Sequence, residues 1–273
     1  MKKWFRVLAL GMTSLLFIGG SVDAGVIRSG FDSTDQFRND DGFEGPVAIG
    51  FDINFFGQTF NSLFVNTNGN VTFDSGFSTF TPSGITGAGD AGSGPIIAPF
   101  FADVDTLSVG EPVRYGTGTV DGRAAFGVNW VDVAAFPSVE PLNRFQLVLT
   151  DRSDIRAGDF DIEFNYEQIL WELGTASGGV SASVGYSNAA GSFFQLDGSL
   201  VNGAFLDDNL TTGLINNSLN SPELGRYLFE ARNGNVGNPG GTVPEPSTLA
   251  IFAVMGLIGC RRLRRSRDRT KSA

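Results

Sequence analysis

Histidine is absent from all 273 residues, and the single cysteine, Cys260, lies near the C-terminus. Triads that need an imidazole base are therefore excluded. Between residues 25 and 243 there is no thiolate nucleophile, no disulfide and no Cys-based metal site. That stretch also has no lysine, since Lys2, Lys3 and Lys271 all lie outside it. The chain carries 19 basic and 29 acidic side chains. Residues 1–24 hold three and one of them, and residues 244–273 hold seven and two. The middle keeps nine and 26, a net charge of −17. Such a surface repels nucleic acid and anionic lipid, and it attracts cations or basic partners. No amphipathic helical period is found before the tail. Without disulfides, the middle must be stabilised by a sizeable apolar core, and its Phe and Gly content suits a turn-rich β protein.

The two ends differ from everything between them. Lys2, Lys3 and Arg6 precede an apolar run at residues 7–18, and Val22 and Ala24 place small residues where a signal peptidase reads. Residues 1–24 are expected to be a cleaved secretory signal peptide. Near the other end, Gly, Asn and Pro dominate residues 232–243, which are expected to form a flexible linker. Pro244-Glu245-Pro246 follows, then an apolar run at residues 247–260. Arg261, Arg262, Arg264, Arg265, Arg267 and Arg269 close the pattern. The run is short for a membrane span, which needs about 20 residues, but snorkelling arginines let it just cross. The positive-inside rule keeps those arginines cytoplasmic.

Residues 25–231 read as one β domain. In VAIGFDINF, Val47, Ile49, Phe51, Ile53 and Phe55 share one face, the pattern of a half-buried strand. Asn68-Gly69 separates two β-rich runs and predicts a type I′ hairpin. A Gly/Ser/Pro-rich stretch before Ile96 predicts a long surface loop. IIAPFFADVDT predicts a buried strand that emerges into Asp103 and Asp105. Phe160, Ile162, Phe164 and Tyr166 face one way, with Asp161, Glu163 and Asn165 facing the other. About ten such strands predict an all-β fold, an antiparallel β-sandwich of jelly-roll type.

The order of these pieces resembles the nidogen-like (NIDO) domain of extracellular adhesion proteins, over about residues 45–230. The matching pieces are the Asn68-Gly69 hairpin, Ile97-Ala98-Pro99-Phe100-Phe101-Ala102-Asp103, the strand with Asn143 and Gln146, and Phe164, Tyr166 and Trp171. Phe101 stands where the family usually has Trp. The resemblance implies an extracellular, non-catalytic interaction domain linked with cell–matrix adhesion. The tail resembles the PEP-CTERM sorting signal of bacteria that make extracellular polysaccharide. That likeness implies processing by an exosortase at or near Pro244, Glu245 and Pro246. It also implies transient anchoring in the inner membrane, then release to the cell surface or matrix.

Asp103 and Asp105 are the leading polar candidates. In one extended strand they lie on the same side, about 7 Å apart at Cα. Three readings stand: they cap a strand end, they share a Ca²⁺ with loop oxygens, or they contact a ligand. No other cofactor is expected. Asp207-Asp208-Asn209 and the Asp151 and Asp154 turn read as solvated loops. Asn70, Asn209 and Asn216 open glycosylation sequons that a bacterial chain would not use. Trp130, Trp171, Phe193 and Phe194 read as core before sugar platform. The expected function is an exported surface or extracellular-matrix adhesion protein that partners extracellular polysaccharide or a matrix protein. The alternative is a carbohydrate-binding module or glycoside hydrolase acting on that polysaccharide, for which paired carboxylates suffice.

Overall fold

The computed structural model describes residues 25–87 and 94–237. The expected signal peptide, the Pro-Glu-Pro motif, the apolar run and its arginines lie outside the described residues. Among the described residues no helix is long and apolar enough to cross a membrane.

Fourteen strands run β1 (Thr34–Asp35), β2 (Phe43–Phe55), β3 (Gln58–Asn66), β4 (Asn70–Thr72), β5 (Ile96–Phe101), β6 (Val104–Gly110) and β7 (Arg114–Val120). They continue as β8 (Arg123–Ala135), β9 (Val139–Asp151), β10 (Phe160–Gln168), β11 (Ser183–Ser187), β12 (Phe193–Gln195), β13 (Arg226–Arg232) and β14 (Asn235–Val236). Among the described residues the one helical element is a 3-10 turn, Leu214–Asn216. The strands form an eight-stranded sheet, ordered β1-β7-β8-β9-β10-β13-β14 with β6 also on β8, and a six-stranded sheet, ordered β12-β11-β5-β4-β3-β2. All the strand pairs are antiparallel. The expected sandwich is what the chain forms.

The core lies between the sheets. Ile49, Ile53 and Phe55 of β2 and Phe100 of β5 meet Phe126, Val128 and Trp130 of β8, Phe145, Leu147 and Leu149 of β9, and the Phe160–Tyr166 face of β10. Period-two alternation makes this possible, because each strand turns one row of side chains inward. Trp130 stacks on Phe145 with centroids 5.3 Å apart and planes 9° apart, and its indole N–H donates to Thr67 O at 3.0 Å. Tyr166 on β10 donates from its hydroxyl to Pro99 O on β5 at 2.6 Å, a direct tie between the sheets. The pieces that carried the family resemblance thus meet in one place.

Three expectations are corrected. The Asn68-Gly69 hairpin exists, but Asn66 pairs with Asn70, leaving a three-residue loop. Positive φ occurs at Gly69 and not at Asn68, so the turn is not type I′. Gly69 is required because a Cβ there would lie 1.8 Å from Phe100 O. Two-residue loops with positive φ at both positions occur instead at Phe56-Gly57, Asp121-Gly122 and Asn233-Gly234. The last of these carries β14, so the folded domain extends past residue 231 into the stretch read as linker. The third correction concerns β10, whose outward residues are not solvated: Glu163 and Asn165 are buried. The reason is a segment that alternation cannot reveal. Residues 25–32 cross the outer face of the eight-stranded sheet as a strap.

Candidate metal and ligand site

The strand IIAPFFADVDT breaks at Asp103, between β5 and β6. Both aspartates are buried rather than emergent, with Asp103 only 1% exposed. The break separates their roles. Asp105, inside β6, accepts the Leu107 backbone N–H through Oδ1 at 2.8 Å. Asp103 instead joins Asp40 and Asp41, two residues that no sequence pattern singled out. One carboxylate oxygen from each of these three lies within 4.8 Å of the others.

The Asp40-Asp41 loop lies between β1 and β2 and is pinned from both sides. Arg38 donates through Nη1 to Thr106 O and through Nη2 to Gly110 O, both at 2.8 Å. Asn39 N–H donates to Thr106 Oγ1, and Asn39 Oδ1 accepts from Gly42 N and Thr67 Oγ1. Asn68, in the β3–β4 loop, donates to Asp41 Oδ1 at 2.9 Å and accepts the Val104 N–H at 2.9 Å. Asn68 therefore fixes the Asp41 carboxylate relative to the strand that follows Asp103. On the other side, Ser177 donates to Asp103 Oδ2 at 3.2 Å. Gly174 makes room for that carboxylate, since a Cβ there would lie 2.3 Å from Asp103 Oδ2.

The electrostatics are unfavourable as they stand. Burial first, then repulsion from Asp41, Asp105 and Asp103, pushes Asp40 up to about 6. Burial also pushes Asp103 up to about 6, against the Ser177 hydrogen bond and with repulsion from Asp41 and Asp105. Asp40 Oδ1 is buried and without a hydrogen-bond partner. Among the described residues no arginine ion pair neutralises any of the four carboxylates. Hard oxygen donors grouped in this way are the donor set that suits Ca²⁺, with the Asp103 and Asp105 expectation redrawn as Asp40, Asp41 and Asp103. Two apolar side chains flank the cluster in sequence and lie open to solvent, Phe37 at 87% and Leu107 at 56%.

Elsewhere the chemistry is spent internally. Trp130 and Trp171 are core, so the four-aromatic platform does not form, and Phe194 packs on Tyr186 and Phe229. Phe193 is half-exposed. Asp154 is held by Arg123 and Arg152. Asp207 Oδ1 accepts the Ile169 N–H. Asn143 Oδ1 accepts the Leu170 and Trp171 N–H groups, which gives that motif residue a structural role.

Comparison with known proteins adds identity. The chain is 30% identical over 191 residues to alpha-tectorin of Gallus gallus, covering 59% of this chain and 9% of that protein. It is 31% identical over 192 residues to alpha-tectorin of Homo sapiens, covering 59% of this chain and 8% of that protein. The Mus musculus protein gives the same identity, length and coverage. The chain thus spans less than a tenth of the length of these relatives. No solved structure matches it. The model of the PEP-CTERM protein-sorting motif matches residues 242–265. The NIDO-related model matches residues 26–228, from the strap to β13, and the chain belongs to that family.

Proposed function

We propose that this exported protein works at the cell surface or in the extracellular matrix as a non-catalytic adhesion module. Its NIDO-related domain makes the contact, and its PEP-CTERM tail directs it there. An exosortase processes the tail at or near Pro244-Glu245-Pro246. Until then, residues 247–260 hold the chain in the inner membrane with Arg261, Arg262, Arg264 and Arg265 on the cytoplasmic side. The contact surface is the end of the sandwich that carries Asp40, Asp41 and Asp103. The observation that supports this reading is the grouping of three un-neutralised carboxylates, flanked in sequence by exposed Phe37 and Leu107. A Ca²⁺ held there would offset the repulsion and offer open coordination positions to hydroxyl or carboxylate oxygens of extracellular polysaccharide or of a matrix protein.

The test uses the chain exported by its own host. Adhesion predicts retention on cells or purified matrix in millimolar Ca²⁺, release by chelator, and loss in Asp103→Asn. It also predicts no release of reducing sugar from the host polysaccharide. Sugar release would replace the reading with a glycoside hydrolase. Retention that ignores both chelator and substitution would remove the aspartate cluster from it.

A further inference from the structure

The strap is built into the fold with unusual care. Phe31, 1% exposed, fills a slot in the outer face of the eight-stranded sheet with Val120, Ala125 and Val148. Two glycines open that slot. A Cβ on Gly127 would lie 2.4 Å from Phe31 Cγ, and one on Gly118 would lie 2.8 Å from Phe31 Cε1. A cross-strand polar row then grips the strap backbone. Asn129, Gln146, Asn165 and Arg226 stand in register on β8, β9, β10 and β13. Asn129 donates to Phe31 O at 2.8 Å, and Arg226 donates to Val26 O at 3.2 Å. Gln146 pairs with Arg28 in both directions, accepting its N–H at 3.0 Å and donating to its carbonyl at 2.7 Å. Arg28 forms a bidentate pair with Glu163 at 2.6 and 2.9 Å.

The strap begins at Gly25, the residue that follows the expected signal-peptidase site. Its α-carbon is pressed against a carboxylate: a Cβ on Gly25 would lie 2.0 Å from Glu167 Oε1. Adding bond lengths of about 1.5 Å puts that oxygen no more than about 3.5 Å from Gly25 Cα and about 5 Å from its nitrogen. Arg144 Nη1 occupies the other carboxylate oxygen, Oε2, at 2.6 Å, and Arg144 Nε lies 3.2 Å from Asp132 Oδ1. Farther along the strap the facing charges are Glu163 and Arg226, with Asp121 and Glu223 acting on Arg28.

We propose that cleavage after Ala24 creates a charge that helps seat the strap, the new α-ammonium of Gly25 pairing with Glu167, so that the strap is held more firmly in the processed chain. This rests on residues 1–24 being a signal peptide. Two features support the order of events. Before cleavage the Gly25 nitrogen is an uncharged amide. A peptidase must also hold the residues around the scissile bond extended, whereas Val26, two residues on, is already buried in the docked strap.

Residues 25–243 contain no lysine, so the α-amine is the only amine of the exported domain, and Lys271 is separable by peptide mapping. Processed chain is purified from the host, its N-terminus is read by intact mass, and the pH dependence of amine acylation gives the α-amine pKa. In the wild type that pKa is expected above the ordinary 7.7–8.0, and acylation at pH 7.5 should be slower by the matching fraction of free amine, up to about tenfold if the pKa reaches about 9. Glu167→Gln should return it to the ordinary range. A wild-type pKa at or below that range, or one that Glu167→Gln leaves unchanged, overturns the pairing. A chain that starts elsewhere than Gly25 also overturns it, but through failure of the signal-peptide reading, and the mass tells the two apart. In Ala24→Leu, which blocks cleavage, amide exchange across residues 26–31 should be faster than in the processed chain. Equal protection in both would overturn the order of events.

Discussion

Replacing Asp103 with asparagine isolates the charge of the aspartate cluster from its shape. The two side chains are isosteric, and an amide oxygen can still accept from Ser177. What changes is a carboxylate whose pKa stands at about 6 against an ordinary 3.8. The sign follows from linkage. Between these values the folded state holds a proton that the unfolded state has released, so stability is fully present below about 4 and falls as pH rises through about 6. A difference of that size corresponds to at most about 3 kcal/mol at pH 8. For a domain of this size, that is about 6–12 °C in melting temperature. Asp103→Asn should therefore melt higher than the wild type at pH 8 in chelator and close to it at pH 4. Ca²⁺ should close most of that gap. At a hundredfold excess over its Kd, bound Ca²⁺ adds about 2.7 kcal/mol to the wild type, and the variant should lose most of that gain. Thermal melts by circular dichroism at the two pH values, with and without Ca²⁺, are sufficient. If Asp103→Asn melts below the wild type at pH 8 in chelator, the carboxylate is structural and the reasoning fails. A Ca²⁺ gain of equal size in both proteins would place the ion elsewhere.

Other sites make independent demands. Phe31→Ala should cost about 3–5 kcal/mol in urea unfolding if the strap is integral to the fold, and less than about 1 kcal/mol if it is an ornament. Gly127→Ala should cost about 1–3 kcal/mol, and in a double-mutant cycle most of that cost should vanish beside Phe31→Ala, because the clash is with that ring. Gly69→Ala meets a backbone oxygen at positive φ, so it should destabilise by more than about 2 kcal/mol and leave little folded protein at about 37 °C. Tyr166→Phe removes the hydroxyl that bridges the sheets and leaves Pro99 O without it; a loss of about 1–2 kcal/mol with unchanged fold should be seen by chemical denaturation.

The site was half legible in the sequence. Asp103 stood out because two acids ended a strongly apolar run, and the structure groups it with Asp40 and Asp41. Asp40 and Asp41 carried no such signal, since acidic pairs in loops are common in a chain with 26 acids between residues 25 and 243. Their role depends on Arg38, Asn39 and Asn68 pinning one loop against another from distant parts of the chain. The pairing of Asp103 with Asp105 failed because strand geometry was assumed to continue where β5 ends at Phe101.

Composition and periodicity by themselves determined the fold class, the separation of the ends from the domain, and the absence of histidine and cysteine chemistry. These follow from local rules. A period of two marks a strand with one buried face, a basic leader with an apolar run marks export, and a missing residue type cannot be supplied by folding. Tertiary structure decided what lies on the other face of each strand. Glu163 and Asn165 alternate as solvent residues should, yet the strap covers them, because Phe31 finds its slot only where Gly118 and Gly127 have been brought diagonally across from one another by the β7–β8 pairing. It likewise decided which of many carboxylates repel one another, since that depends on distances between residues more than 60 positions apart in the chain.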